Sequence, residues 1–264
     1  MKVSLAWIFD HISAERKRED VDQIVSLFNQ ITAEIESIHH WSYDLDSLAF
    51  ALFQEAGAAP YWSFYIPEWD ISLQLPARQS SDDEILKHPD IVFLVKREKD
   101  EVRFAMYADI GSDREGELPA FFCRKKELWS GAWKHFVEAD DVIFEVDNKS
   151  LTHRPDMWGH RGFAREVAAF LKLPFRNETE FLVEKEIRYG DKTMESTQDQ
   201  PLAIEVDDAK ACAKFAGLYL KDIENKPSDF FMAMRLIRVG SRPISLLVDL
   251  TNYVMLDFSQ PMHA

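Results

Sequence analysis

A helix framed by two prolines constrains this sequence more than any other feature. Gly240 and Ser241 interrupt the preceding segment, and Pro243 suits a first helical turn, where its missing N–H needs no partner. Apolar side chains then recur at steps of three and four residues, as on one face of a helix: Ile244, Leu247, Val248, Val254 and Phe258. Pro261 cannot continue such a helix. We therefore predict one helix between the two prolines.

Polar residues stand at both ends of this helix and inside its apolar stripe. Thr251 interrupts the stripe beside Asn252, Arg242 precedes the helix, and His263 follows it. A chain that folds around the helix can bring these four side chains to one place. Each also has a plain structural interpretation, since Thr and Asn within helices usually bond to backbone or buried groups and a histidine near a chain end is usually a surface residue.

A second polar segment combines a loop and a helix. Residues 153–156 read His-Arg-Pro-Asp, and residues 162–169 read Gly-Phe-Ala-Arg-Glu-Val-Ala-Ala. Arginine holds carboxylates in two-pronged pairs, so we predict a structural hydrogen-bond and charge network. Its members are Arg154, Asp156, Arg165 and Glu166. His153 and His160 have no carboxylate or thiol at metal-ligand spacing, and we predict no metal site.

Together the two segments resemble the beta subunit of bacterial phenylalanyl-tRNA synthetase. That family carries Gly-x-Arg-Pro-Ile, Val-Asp-x-Thr-Asn-Tyr-Val-Met and Gln-Pro-x-His-Ala at the spacing found in residues 240–264, and an Arg-Pro-Asp loop before a Gly-Ile-Ala-Arg-Glu-Val-Ala-Ala helix. The resemblance is good over residues 140–264, fair over 1–40 and poor between about 45 and 138. The family's subunit is much longer, so we expect this chain to be an N-terminal fragment.

The predicted fold is α+β, with a discontinuous N-terminal α/β domain, an inserted β-rich domain and the first part of an α+β editing-type domain. Strands at 3–9, 34–38 and 142–146 are expected to share one sheet. The boundaries follow the resemblance: N-terminal domain 1–48, insertion 49–138, N-terminal domain again 139–198, and editing-type domain 199–264.

The insertion gives mixed signals. Leu45, Leu48, Ala49, Leu52 and Ala56 have helical spacing, whereas residues 91–95 and 102–110 predict a β-hairpin. An aromatic cluster at 61–69 lacks interleaved Lys or Arg, which favours a core or an interface over base stacking. The family inserts an oligonucleotide-binding (OB) barrel here, but residues 87–90 match only the start of its motif. Whether the insertion is OB-like and binds RNA therefore stays open.

Further patterns lie towards the end of the chain. Asp207 is predicted to cap a short helix through Phe215, and Ser228 or Asp229 to cap a helix ending before Gly240. Strands are predicted at 181–187, 201–206 and 217–223.

Charge and cysteine content limit the possible functions. The net charge is −15, so contact with a nucleic acid has to be local. Two widely separated cysteines and the lack of a membrane-length apolar run favour a cytoplasmic location.

The resemblance implies hydrolytic editing. An apolar pocket for phenylalanine rejects tyrosine weakly, so a second site must hydrolyse Tyr-tRNA(Phe). The family's editing residues correspond to His263, Thr251 and Asn252 as catalytic groups and to Arg242 as a ligand of the tRNA acceptor end. His263 would position or deprotonate the water, or bind the terminal ribose. Since further editing residues of the family follow the position of Ala264, the fragment alone is expected to be inactive.

The expected partners are tRNA(Phe) and the synthetase alpha subunit, in a heterotetramer of two alpha and two beta subunits. The whole synthetase uses ATP and magnesium to charge tRNA(Phe), and the resemblance assigns this step to the alpha subunit and no cofactor to this chain. The alternative is a non-catalytic scaffold module that binds tRNA or the alpha subunit.

Overall fold

The computed structural model describes residues 1–17, 20–56, 60–78, 88–177, 204–213, 215, 217 and 221–264. The chain separates into two compact units, one comprising Met1–Arg176 with Asn225–Ala264 and the other Asn177–Glu224. In the described residues the strands are β1 (Lys2–Ser4), β2 (Ile35–Ser42), β3 (Leu48–Ala56), β4 (Tyr61–Ile66), β5 (Ile71–Pro76), β6 (Ile91–Glu98), β7 (Glu101–Phe104), β8 (Phe121–Phe122) and β9 (Asp140–Val146). The α-helices there are α1 (Leu5–Asp10), α2 (Asp20–Ile31), α3 (His160–Leu171), α4 (Phe230–Arg238) and α5 (Leu246–Phe258).

The smaller unit is described only in part. The amide groups of Ala211 and Cys212 both donate to the carbonyl of Asp208, which forms a turn where the sequence predicts a helix. The strand predicted over 181–187 lies outside the described residues, as do 201–203 and 218–220 of the two other predicted strands.

A three-stranded antiparallel sheet joins the start of the chain to its middle. β9 lies between β1 and β2, which confirms the predicted pairing of these three segments. The first strand is shorter than predicted because α1 begins at Leu5. The Ser4 hydroxyl accepts a hydrogen bond from the Trp7 amide at 3.1 Å and so caps this helix.

Helices α1, α2 and α3 pack with this sheet around one apolar core. Phe28 of α2 stacks on Phe163 of α3 at 5.3 Å between ring centroids. Val3, Ile8, Phe28, Phe144 and Phe163 are among the buried members of the core. The helix predicted at residues 162–169 is thereby confirmed as part of α3.

The inserted region forms a six-stranded antiparallel sheet that curls into a nearly closed barrel. Its order is β5-β4-β3-β6-β7, with β8 paired to the start of β6. The helix predicted around Leu48 is wrong, because β3 is a strand buried on both faces. Leu48 and Phe50 belong to one core, and Ala49 and Ala51 to another.

The aromatic cluster mostly faces the barrel core, as predicted. Phe64 is fully buried and Trp62 nearly so, in the same core as Phe93 and Phe104. Tyr61 is exposed, and the Arg97 guanidinium lies 4.0 Å from the centroid of the Trp69 ring.

Helix α4 covers the other face of the barrel sheet. Phe230 at its start makes an edge-to-face contact with Phe50, 4.7 Å between centroids, and Trp133 stacks on Phe50 at 5.0 Å. Asp229 caps α4 by accepting from the amides of Phe231 and Met232, as predicted. Residues 225–264 therefore lie in one compact unit with residues 1–176. The bounds of the four predicted segments stay a prediction.

Candidate functional site

The helix framed by prolines is present as α5. It starts after Ser245 and ends before Ser259, which adopts the left-handed conformation with φ 61°. The segment before it is held by Asp249, a fully buried residue in the first helical turn. One Asp249 oxygen accepts from the Ser228 hydroxyl and from the Ile244 amide, the latter at 2.8 Å. Its other oxygen, Oδ1, is buried and has no hydrogen-bond partner among the described residues.

The four predicted editing residues occupy different surroundings. Arg242 is exposed and lines a cavity of about 560 Å³ whose lining includes none of the other three. Thr251 is half-buried, and its hydroxyl donates to the Val248 carbonyl at 2.7 Å. Asn252 is also half-buried, and His263 is exposed in the segment after α5. The described structure therefore does not bring these four side chains to one cavity.

The cavity beside Arg242 carries other charged groups that the sequence did not single out. We call it the arginine cavity, and its polar lining consists of Arg78, Tyr107, Arg114, Glu115, Glu117 and Arg242. Burial raises the pKa of Tyr107, while the positive charges of Arg114, Arg242 and Arg78 oppose that rise. The Tyr107 hydroxyl is thus held in its protonated form and can donate a hydrogen bond.

The predicted structural network is assembled in one place. The Arg154 guanidinium donates two hydrogen bonds to the Asp156 carboxylate, at 2.9 and 2.8 Å, and one to Glu166 at 2.6 Å. Arg165 also donates to Asp156. Hydrogen bonding to Arg154 lowers the pKa of Asp156, which keeps the carboxylate ionised. A Cβ on Gly162 would lie 1.9 Å from the Asp156 carbonyl oxygen, so only glycine fits under this loop.

A buried polar cluster, absent from the sequence predictions, joins α1, α3 and α5. We call it the junction cluster, and it consists of Trp7, His11, His160 and Asp257. One Asp257 oxygen lies 2.6 Å from Nε2 of His11 and accepts from the Trp7 indole N–H at 2.8 Å. The Trp7 ring stacks on the His160 ring at 3.9 Å.

His160 is a neutral structural residue in this cluster. Its Nε2 accepts from the Ser4 amide at 3.1 Å, so its Nδ1 carries the proton that is donated to the Leu256 carbonyl at 2.7 Å. Complete burial lowers the pKa of His160 to about 4. The ring therefore connects β1 to α5. Among the described residues, no group of three or more His, Cys, Asp and Glu side chains is arranged to hold a metal ion.

Two arginines attach α4 to its neighbours. Arg238 is only 2% exposed, donates to Glu138 at 2.7 Å and bonds to the Tyr43 hydroxyl at 2.9 Å. Arg235 pairs with Asp10 at 2.6 Å and donates to the Tyr253 hydroxyl at 3.0 Å. Arginines in the last turn of a helix can be predicted from the sequence as partners of the helix dipole. Their hydrogen-bond acceptors in distant parts of the chain cannot be predicted in this way.

None of the helices in the described part of the chain is long and apolar enough to cross a bilayer.

Comparison with known proteins points to one family. Residues 211–264 match the B3/4 domain family. The phenylalanine–tRNA ligase beta subunit of Solibacter usitatus is 38% identical over 124 residues, which is 47% of this chain and 15% of that protein. The protein of the same name from Leptospira borgpetersenii is 35% identical over 162 residues, covering 54% of this chain and 19% of the relative.

A third relative aligns with the whole chain. The phenylalanine–tRNA ligase beta subunit of Fusobacterium nucleatum is 25% identical over 286 residues, covering 100% of this chain and 34% of that protein. The chain thus spans about a third or less of the length of these relatives. With the two motif segments in their family order, these matches show that the chain belongs to the family of phenylalanine–tRNA ligase beta subunits.

Proposed function

We propose that the chain forms the part of a phenylalanine–tRNA ligase beta subunit that supports charging of tRNA(Phe) and carries one side of a hydrolytic editing site for Tyr-tRNA(Phe). The observation that carries the proposal is the placement of Arg242, which is exposed on a cavity wall directly before α5. Arginine suits the phosphates and ribose of an acceptor end, because its planar fork donates several hydrogen bonds at once.

The proposed reaction is hydrolysis of the tyrosyl ester. Water attacks the ester carbonyl carbon, the bond to the ribose oxygen breaks, and tyrosine and free tRNA result. His263 accepts a proton from the water or positions it, and Thr251 and Asn252 hold the water and the ester. The Thr251 hydroxyl donates its proton to Val248, so its oxygen lone pairs remain available to accept a hydrogen bond.

His263 and Arg242 have to approach the ester together in this mechanism. Residues 261–264 are all exposed after the end of α5, so no packing within the described unit fixes His263. We propose that the acceptor end, or another part of the synthetase, orders it. ATP and magnesium belong to amino-acid activation, which we assign to the alpha subunit.

A scaffold role is the second candidate, favoured by an apolar groove of about 530 Å³. Phe136, Phe231, Leu246, Leu250 and Tyr253 contribute to its walls. Phe136 is 63% exposed and Leu250 49%, and exposed apolar side chains that share one groove are typical of an interaction site. In this case the groove would contact the alpha subunit, and the editing motif would persist for folding alone.

The first experiment measures release of tyrosine from Tyr-tRNA(Phe) by the two-subunit enzyme. His263→Ala is expected to lower hydrolysis about a hundredfold while charging with phenylalanine continues, because general acid–base residues contribute factors of this size. His153→Ala, which replaces another exposed histidine, is the matched control. Hydrolysis at the wild-type rate in His263→Ala would rule out editing by this residue and favour the scaffold role.

A further inference from the structure

Three arginines from separate parts of the chain line the arginine cavity. Arg78 follows β5, Arg114 lies between β7 and β8, and Arg242 precedes α5. The volume of about 560 Å³ lies in the range of cavities that bind small ligands or single nucleotides. Two carboxylates, Glu115 and Glu117, also reach the lining.

Arg78 is mainly a structural residue in the wall of the arginine cavity. Its guanidinium donates to Glu117 at 2.8 Å and to the Leu118 carbonyl at 2.5 Å, and it lies 4.5 Å from the centroid of the Phe104 ring. Its side chain is only 11% exposed. The charges of Arg78 and Glu117 therefore compensate each other, and Glu115 is the other carboxylate residue in the described lining.

Arg114 and Arg242 differ from Arg78 in having no ion pair within the described residues. Both are exposed, and the Arg114 guanidinium lies 5.4 Å from the Tyr107 ring centroid. Tyr107 is 5% exposed and presents a protonated hydroxyl, for which no partner is found in the described part of the chain. Two unpaired guanidinium groups and one neutral donor are suited to a ligand with more than one anionic oxygen.

We propose that Arg114 and Tyr107, both from the inserted barrel region, bind the phosphate backbone of the single-stranded 3′ end of tRNA together with Arg242. The inference rests on the proposed function, in which Arg242 holds the acceptor end. It adds that the inserted barrel supplies half of that site. An otherwise acidic chain of net charge −15 would then hold RNA through this local concentration of cations.

The test measures binding of a short RNA hairpin that ends in single-stranded CCA, compared with the same hairpin without the tail. The 264-residue chain is used as wild type, Arg114→Gln, Arg242→Gln and Arg124→Gln. Arg124 is an exposed arginine that does not line the cavity, so it reports any general effect of losing one positive charge. Circular dichroism confirms that each variant is folded.

We expect the wild type to bind the tailed hairpin more tightly than the hairpin without the tail. Arg114→Gln and Arg242→Gln should each weaken binding of the tailed hairpin about tenfold, whereas Arg124→Gln should not. Each of the first two variants should also lower the salt dependence of log Kd by about 0.7, the value of one phosphate contact on a single strand. If Arg242→Gln weakens binding while Arg114→Gln equals Arg124→Gln, the inference is overturned and the proposed role of Arg242 stands. If wild type does not distinguish the two hairpins, both are overturned.

Discussion

The junction cluster and the arginine cavity are two polar regions of opposite kinds, one buried and one lined by exposed arginines. Both include residues of α5 or of the segment before it. In the junction cluster the carboxylate of Asp257 contacts both His11 and Trp7, and all of these groups are buried or nearly so. In the arginine cavity Arg114 and Arg242 are exposed and have no ion pair in the described residues.

This difference separates structural polar groups from groups available to a ligand. Buried polar atoms with defined partners fix the orientation of the elements that carry them, because leaving one unpaired is unfavourable. Exposed cations on a cavity wall gain little from the fold and can gain more from an anion. We therefore expect Asp257 to act in folding, and the exposure of Arg242 supports the binding role proposed for it. Each expectation can be tested.

The largest effect is expected for Asp257→Ala, which removes the carboxylate that accepts from Trp7 and pairs with His11. Loss of a buried hydrogen-bond acceptor that is shared by two side chains should lower the free energy of unfolding by about 3 kcal/mol. Urea unfolding followed by circular dichroism measures this change. Asp100→Ala, at the exposed turn between β6 and β7, is the control, expected to change it by less than about 0.5 kcal/mol. Equal losses in the two variants would contradict a structural role specific to Asp257.

A second effect on stability, smaller than that of Asp257→Ala except near pH 4, should depend on pH through His160. Its pKa is about 4 in the folded chain and near its ordinary value of 6.5 when unfolded, so between these values only the unfolded chain binds the proton. The contribution to stability is therefore full above pH 6.5 and is lost as the pH falls towards 4. At pH 4 the free energy of unfolding should be lower by roughly 3 kcal/mol, and midway between the two pKa values by about half of that.

The measurement is urea unfolding at several pH values, for wild type and His160→Gln. Glutamine can accept from Ser4 and donate to Leu256 without titrating, so this variant should show a flatter decline below pH 6.5. Parallel curves for the two proteins would show that other groups cause the acid sensitivity.

Sequence patterns predicted the elements that have one buried apolar face and one face exposed to solvent. Helices α3 and α5 and the pairing of β9 with its two neighbours were predicted in this way. Strand β3 was predicted as a helix because its two faces pack into different cores, so that alternation disappears and accidental helical spacing remains. Residues 5–9 were predicted as part of a strand because a short apolar run does not distinguish a strand from a helix.

The candidate site was predictable to a different extent. The editing motif supplied Arg242, Thr251, Asn252 and His263 through a resemblance, whereas Arg114 lies in a region where that resemblance is poor. Its surroundings, Asp113-Arg114-Glu115, look like an ordinary charged turn in sequence. Only the folded barrel brings Arg114 to the same cavity as Arg242. Asp257 likewise gains its role from His11, which lies 246 positions earlier in the chain.

The smallest effect on stability is expected for Arg242→Gln, and this prediction separates the two polar regions most directly. Arg242 is exposed and forms no ion pair in the described residues, so its loss should change the free energy of unfolding by less than about 0.5 kcal/mol. Arg238→Gln is the matched contrast, because Arg238 is buried between Glu138 and Tyr43, and a loss of about 3 kcal/mol is expected. Urea unfolding of the two variants under the same conditions measures both changes in the free energy of unfolding. A loss for Arg242→Gln as large as that for Arg238→Gln would place Arg242 among the structural groups, and any weakening of RNA binding by that variant would then reflect a changed fold rather than a lost phosphate contact.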